Sequence, residues 1–532
     1  MIKYKYKLVF ILILIVSIFH RFYRLNDIPP GLYHDVAING NDAINALCTH
    51  NFRIIYPNNN NREGLFINLI AISFWVFGSS VLSIKLVPAA IGVLTVAGLY
   101  LLAKELFYSE KNIEEREALS LLCTFFIAIS FWHVNFSRIG FRGIMVPFIM
   151  VFSFYFLLLA VRTNKVLHFI FAGLFFGLGF YTYTAFQVAP LILVVKFICE
   201  WMTVKKNRIK SRRLKWSIMC LTIIIILIPI IIYISHHPKD LFMRASDVSI
   251  FASQSPLNAL ITSSIKTFAQ FNYRGDYNWR HNYSGDPQLN FIIGIFFLIG
   301  LTISIVKTFR NETGIHNNNY LFLLVWFIVM LLPSILTIEG VPHSLRSIGA
   351  IPVAMIFAGI GANWIYKKVQ NNFLRFEKQI LIISCLLLIF ISYSEYRKYF
   401  SDWANNDNTR LSFNEYCAKV GYFLNSVPED ISKYVLVNVG GLLVNGIPMP
   451  SQTIQFLTYG KSKVGYISDP IALNRLIEKI KLTKVPENKV NSIIIVPLNP
   501  EEQYFNYLIK LLPEGKIQVS NEIKYFVMLQ NV

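Results

Sequence analysis

Asp35 stands a few residues beyond a long apolar run, at the end of Pro29-Pro30-Gly31-Leu32-Tyr33-His34-Asp35, and a loop with Arg62-Glu63-Gly64 follows it. A carboxylate costs little in water, whereas one drawn unpaired into lipid costs several kcal/mol. Held at a membrane face, it can take a proton from a hydroxyl or amine as that group attacks an electrophile. Arginines suit the other half of such chemistry, because the planar guanidinium fork holds two phosphate oxygens at once. Arg138 and Arg142 are four apart, hence on one face if helical, and Arg346 lies beside His343 at the head of a later apolar run. Each has an ordinary reading too. An isolated Asp is by default a solvated loop residue or a helix N-cap, and arginines at span ends often snorkel toward headgroups. Arg62 and Glu63 read equally as a surface ion pair or as a pair gripping substrate.

A second set of polar residues lies in the stretch Arg274-Gly275-Asp276-Tyr277-Asn278-Trp279-Arg280-His281-Asn282. Aromatic rings there suit the apolar faces of sugars, and Asp276, Arg280 and His281 suit their hydroxyls, although the same residues make an ordered surface turn. Tyr181 and Tyr183 close an apolar run containing Gly173, Gly177 and Gly179. Glycines so placed are most simply close-packing positions, and tyrosines at a run's end are interface anchors.

The elements that must position these groups are membrane spans. With 54% hydrophobic and 15% charged residues the chain is too apolar for one soluble core. Runs of bilayer length fall at Leu8 to Phe19 and at roughly 80–103, 118–134, 144–161, 166–183, 185–201, 216–234, 289–306, 320–337, 347–366 and 379–394, about eleven in all. The shorter run Leu65 to Phe77 reads as an amphipathic helix at the outer interface. Behind Lys3, Lys5 and Lys7 the first run resembles a signal peptide, but no small-residue cleavage site follows, so it reads as an uncleaved span with a cytoplasmic N-terminus.

Alternating the loops puts 21 Lys and Arg in 64 residues on the cytoplasmic side and 12 in 116 outside, with Lys205 to Lys215 the strongest cytoplasmic anchor. Asp35 then faces outward, in the first of two large external loops at 21–79 and 235–288. The net charge of +20 is explained by these short loops and anionic headgroups, without nucleic acid. Of six cysteines, only Cys48 and Cys417 fall together on the external side, where a bridge is conceivable. No CxxC or His-Cys spacing points to a metal, and the scattered His34, Asp35, Asp276 and His281 form no dense ligand cluster, so neither metal nor other cofactor is expected.

Residues 1–394 thus read as the spanning region and 395–532 as a soluble α/β domain, external because an odd number of spans precedes it. Strand patterns occupy Lys433 to Gly440 and Val490 to Pro497, with a final strand pair at 518–520 and 523–529; helical patterns occupy 412–426 and 471–482.

The order of motifs resembles the GT-C glycosyltransferases of the protein mannosyltransferase and aminoarabinose transferase type. It runs Pro30-Gly31-Leu32-Tyr33-His34-Asp35-Val36-Ala37, Arg62-Glu63-Gly64-Leu65-Phe66, Phe136-Ser137-Arg138-Ile139-Gly140-Phe141-Arg142, Gly179-Phe180-Tyr181-Thr182-Tyr183 and Ile338-Glu339-Gly340 through His343-Ser344-Leu345-Arg346. The resemblance implies an inner-membrane enzyme that moves a sugar from a polyprenyl phosphate to a protein, lipid or envelope glycan, with inversion and with Asp35 as base. It implies donor-phosphate contacts at Arg62, Arg138, Arg142, His343 and Arg346, and substrate contacts at Glu63, Tyr181, Tyr183, Asp276, Arg280 and His281. Val36 departs from the Asp-Glu-Ala common in relatives, and Gln187 stands where a basic residue often follows the tyrosines. The competing class is a transporter or lipid-linked-sugar flippase. Such proteins usually show internal repeats or broken charged segments at the midplane, and neither is evident here.

Overall fold

The computed structural model describes residues 2–108, 110, 112–203, 209–238, 249–310, 319–482, 492–520 and 522–528. The anchor at Lys205 to Arg208 and the start of the strand expected from Val490 lie outside the described residues.

Long apolar runs become helices because a continuous helix satisfies every backbone polar group within itself, the one requirement a hydrocarbon setting imposes. Among the described residues, six helical stretches are long and apolar enough to cross a bilayer: Val81–Leu106, Arg142–Thr163, Thr184–Met202, Arg212–His236, Phe291–Arg310 and Ile348–Asn372. Leu65–Phe77, Val166–Gly179 and Asn319–Ile335 are shorter apolar helices. The elements that matter below are α1 (Ile2–Phe22), α2 (His34–Thr49), α3 (Leu65–Phe77), α4 (Val81–Leu106), α5 (Ile113–Ile129), α6 (Phe131–Phe136), α7 (Met145–Thr163), α8 (Val166–Gly179), α9 (Pro190–Thr203) and α10 (Ile209–His236). The run expected to span 118–134 is instead two helices, broken at Ser130, whose φ of −52° and ψ of 124° leave the helical region. Helix α3 buries Phe66, Ile67, Ile70 and Phe74 while Ile72, Trp75, Val76 and Phe77 face out.

Broken helices leave orphan carbonyls, which cost free energy unless something donates to them. Three basic side chains meet that need around the segment after α1, and a buried carboxylate takes up an orphan N–H at the start of α6. Arg138, fully buried, donates to the carbonyls of His20 (2.9 Å), Tyr23 (2.8 Å), Arg24 (3.2 Å) and Ile28 (3.1 Å). Arg21 donates to Ile127 O (3.2 Å) and Ala128 O (2.9 Å) at the end of α5. Lys85 of α4 donates to Asn26 O (3.2 Å) and Pro29 O (3.0 Å). Glu395 accepts the Phe131 N–H at the start of α6 (2.5 Å). Together they pin residues 20–30 to α4, α5 and α6, and so set where α2 begins.

Helices α11 (Pro256–Ala269), α12 (Phe291–Arg310), α13 (Asn319–Ile335), α14 (Ile351–Asn372) and α15 (Glu377–Arg397) complete the helical part. The tightest pairing is α12 with α14, where a Cβ on Gly300 would sit 1.8 Å from Phe357 O and one on Gly361 1.9 Å from Phe296 O. Only glycine permits such backbone approach.

Beyond α15 the chain forms a mixed five-stranded sheet. A two-residue ribbon near the site, β1 (Ile55–Tyr56) with β2 (Arg62–Glu63), is separate from it. Its strands are β3 (Ser432–Leu436), β4 (Val464–Ile467), β5 (Ile493–Pro497), β6 (Lys516–Ser520) and β7 (Ile523–Met528), in the order β4-β3-β5-β7-β6. β3 runs parallel to β4 and β5, and the β6–β7 hairpin is antiparallel. Alternation along each strand sends Val435, Ile494 and Val496 to one apolar cluster and Leu436, Ile493 and Ile495 to another. Helix α16 (Glu415–Ser426) covers the first face; α18 (Pro470–Leu482) and α19 (Glu502–Leu511) cover the second. A further short helix, α17 (Gln452–Thr458), buries Ile454 in the first cluster and sets Phe456 against Gly40 of α2. Phe413, Ala418, Phe456 and Leu457 belong to the same core as the membrane helices, so the two parts meet in one continuous apolar interior.

Candidate functional site

Helix α2 begins at His34 after an extended Tyr33 (φ −62°, ψ 140°), which puts Asp35 in its first turn, where a negative charge meets the positive end of the helix dipole. Val36, Ala37, Ile38 and Asn39 bury the inner face. Asp35 stays 39% exposed, with its Oδ1 3.7 Å from His34 Nε2. Asp42, which shares the helix seven residues on, is buried, and its carboxylate is bonded to Arg62. Only the first of the two carboxylates is open to a substrate.

Residues 270–288 fold back beside α2. The Arg280 guanidinium lies over the Tyr33 ring, 4.0 Å from its centre, and Asn135 holds the Arg280 carbonyl (2.8 Å). The His281 ring packs between Phe136 (5.8 Å) and Phe141 (5.9 Å), and Phe141 in turn meets Tyr33 (6.1 Å). Arg142, in the turn just before α7, bonds Glu63 (2.7 Å) and lies over the Tyr183 ring (5.3 Å). Asp35, Arg280 and His281 therefore gather around Tyr33, His34 and Phe141, and Arg142, next to Phe141 in the chain, brings Glu63 and Tyr183 to the neighbouring position; Tyr33 and His34 lie within the sequence motifs but are not singled out by them.

The Asp276 carboxylate is the hub of its loop. It accepts from Asn278 N–H (2.8 Å), from Ser344 N–H (2.8 Å) and from His281 Nδ1 (3.0 Å), and His343 Nδ1 is 4.0 Å away. Burial acts to raise its pKa, but His281, His343 and the Asn278 amide prevail and hold it below the ordinary carboxylate value. Of the residues expected to be scattered, Asp276 and His281 are clustered, and His343 joins them. Asp276, His281 and His343 each offer a ligand atom, all within 4.8 Å of one another, a spacing that could close on a divalent cation. Loop pairing 62 residues apart brings His343 to His281, which no spacing rule in the sequence reveals.

Two of the assigned arginines are spent on the fold. Arg62 is 1% exposed and spends its guanidinium on Asp42, Asn39 and the Asn58 carbonyl, so it pairs neither with Glu63 nor with a donor phosphate. Arg138 is committed to the four carbonyls named above. Tyr181 donates its hydroxyl to Ile226 O of α10 (2.5 Å), a helix-packing contact. Gly173 and Gly177 face Met219, Thr222 and Ile226, which confirms close packing of α8 on α10. Arg346 donates to Thr337 Oγ1 (2.7 Å) and Glu339 O (2.7 Å) and so braces its own loop. The conceivable bridge is also absent: Cys48 and Cys417 are both free thiols.

Against known proteins, residues 65–233 match the family model of the dolichyl-phosphate-mannose-protein mannosyltransferases. No curated protein matches the sequence significantly. In fold the chain is similar to ArnT from Cupriavidus metallidurans in the apo state, with a TM-score of 0.56 at 11% identity over 99% of this chain and 98% of that one. It is similarly close to that ArnT bound to undecaprenyl phosphate, with a TM-score of 0.52 at 11% identity over 98% and 97%. The archaeal oligosaccharyltransferase AglB from Archaeoglobus fulgidus, in complex with an inhibitory peptide and a dolichol-phosphate, matches with a TM-score of 0.55 at 12% identity over 100% and 74%. The fold is that of the GT-C glycosyltransferases, as the order of motifs implied, and the protein is a membrane protein.

Proposed function

We propose that the protein is a glycosyltransferase that moves a sugar from a polyprenyl-phosphate donor to an acceptor on the extracytoplasmic face, with Asp35 as general base. The observation that carries this reading is the gathering of a half-exposed carboxylate, Arg280, aromatic walls and Arg142 at the ends of the membrane helices. The ArnT and AglB structures hold polyprenyl or dolichyl phosphates, which supports a lipid-phosphate donor here. As the acceptor oxygen or nitrogen bonds to the anomeric carbon, its proton passes to Asp35 and the carbon–oxygen bond to the lipid phosphate breaks, leaving the phosphate as the departing anion. One displacement inverts the anomeric centre.

With Arg62 and Arg138 committed to the fold, Arg142 and Arg280 are the cations assigned to the leaving phosphate, and Glu63 and Tyr183 to the sugar. Asp276, His281 and His343 would hold a divalent ion, whose chemistry would be to neutralise the phosphate further. The distribution of Lys and Arg supports an extracytoplasmic position for α2 and the sheet.

The test uses the full chain in liposomes with a panel of polyprenyl-phosphate sugars and envelope lipids, glycans and peptides as acceptors. Asp35→Asn is expected to bind donor as before and to lose transfer by about 10²–10⁴-fold, the usual worth of a general base. Full transfer by that variant would remove Asp35 from the mechanism.

A further inference from the structure

His34 makes a contact that neither the helix nor the proposed chemistry requires. Its Nδ1 is 3.0 Å from Asn414 Nδ2, a residue 380 positions later in the segment entering α16, while its Nε2 faces Asp35 Oδ1 at 3.7 Å. An amide nitrogen can only donate, so an imidazole nitrogen meeting it must offer its lone pair. In a neutral ring the single proton then sits on Nε2, toward the carboxylate.

The surroundings keep the ring neutral. The groups facing it are Asp35 beside it, Arg280 from the 270–288 loop, the Tyr33 ring at 4.1 Å and Asn414; the nearby Glu415 is turned to Arg410 (3.8 Å) and Lys419 (3.6 Å). Burial is the largest influence and lowers the His34 pKa, Arg280 lowers it again, and Asp35 opposes them without prevailing. A neutral histidine in the other tautomer would set a nitrogen lone pair against the Asp35 carboxylate, which is repulsive.

Asn414 is also held in place. Its backbone is left-handed (φ 55°, ψ 44°), a conformation asparagine tolerates better than most residues. Its neighbours Phe413 and Glu415 lie against Gly31, where a Cβ would meet Phe413 O at 2.5 Å and Glu415 N at 2.8 Å.

We propose that Asn414 is a positioning residue that acts through His34, fixing the Nε2–H tautomer so that an N–H, and not a lone pair, faces Asp35. The C-terminal region thereby completes the site. The proposal rests on the reading of Asp35 as base only for its catalytic consequence, not for the tautomer itself.

Two measurements test it. The first is ¹⁵N solid-state NMR of the histidine-labelled full chain in liposomes at neutral pH, compared with His34→Gln to isolate the His34 signal. A protonated Nε2 with a bare Nδ1 is expected; a protonated Nδ1 overturns the proposal. The second compares Asn414→Gly, which keeps the left-handed backbone and deletes the amide, with Asn414→Asp, which keeps the shape but accepts a proton at Nδ1. Asn414→Gly is expected to lower kcat by about tenfold with donor KM unchanged. Asn414→Asp is expected to raise the pH at which the His34 ¹⁵N signals titrate, because a carboxylate now favours charged His34. A wild-type kcat in the glycine variant together with an unmoved His34 titration in the aspartate variant overturns the proposal. Should Asp35→Asn retain full transfer, the base reading fails while the NMR result still decides the tautomer.

Discussion

At the scale of single residues, charge alone does not make a catalytic group; its burial and partners do. Asp42 and Arg62 form a buried pair, so losing either leaves an uncompensated charge in the interior. Arg62→Ala is expected to destabilise the protein by about 3–5 kcal/mol, read as a fall in thermal midpoint, and Arg62→Ala combined with Asp42→Ala by less than either alone. A donor-specific defect in a fully stable Arg62→Ala protein would contradict this. His34 carries a pH prediction. Its pKa in the folded protein lies below the ordinary value of about 6.5, so its stabilising contribution is complete above that value and declines as pH falls toward the folded one. The drop in thermal midpoint between pH 7.5 and 5.5, values chosen to sit about one unit either side of that ordinary pKa, should be smaller in His34→Gln than in the wild type.

At the scale of elements, the helices that matter most are the interrupted ones. Arg138 serves four carbonyls at the end of α1, and leaving even one buried acceptor unpaired costs about 1–3 kcal/mol. Arg138→Ala is therefore expected to reduce the amount of folded protein in the membrane sharply, and Arg138→Lys nearly as much, since an ammonium cannot span that set of acceptors. Quantifying the monodisperse fraction after extraction checks both. Cys48 near the end of α2 is exposed, whereas burial pushes the Cys417 thiol up to about 11. A membrane-impermeant maleimide applied to intact cells should label Cys48 and spare Cys417; no labelling of Cys48 from outside would reverse the proposed topology.

At the scale of the whole molecule, the C-terminal region is packed onto the helix that bears Asp35. Phe456 of α17 meets Gly40, where a Cβ would lie 2.6 Å from its ring, and stacks near Phe74 of α3 (5.9 Å); Thr453 donates to Leu32 O (2.8 Å). Gly31 is the closest approach, and it is left-handed (φ +81°) as well as crowded by backbone. Gly31→Ala is expected to separate the two parts, seen as faster proteolysis between residues 398 and 415 and a transfer rate lowered with that of Asn414→Gly. An uncleaved and fully active Gly31→Ala protein would show the packing to be incidental.

Much of this was readable from the chain because it depends on local patterns. Run length placed the helices at Val81–Leu106, Phe291–Arg310 and Ile351–Asn372, short apolar runs placed β3 and β5, and the final strand pair is the β6–β7 hairpin. The motif order placed Asp35 beside the first span, and the glycines of α8 were legible as packing positions. Whether an arginine would face a substrate or the backbone was not readable, because Arg62, Arg138 and Arg142 are alike in type and setting and differ only in what surrounds them after folding. The same holds for Asp276, His281 and His343, and for Asn414, whose partner is 380 residues away. Sequence determined the membrane setting and which side chains were present, since both follow from composition and short-range periodicity. Tertiary structure decided which charges are spent on the fold and which are left for chemistry, because that depends on burial and on contacts between residues far apart in the chain.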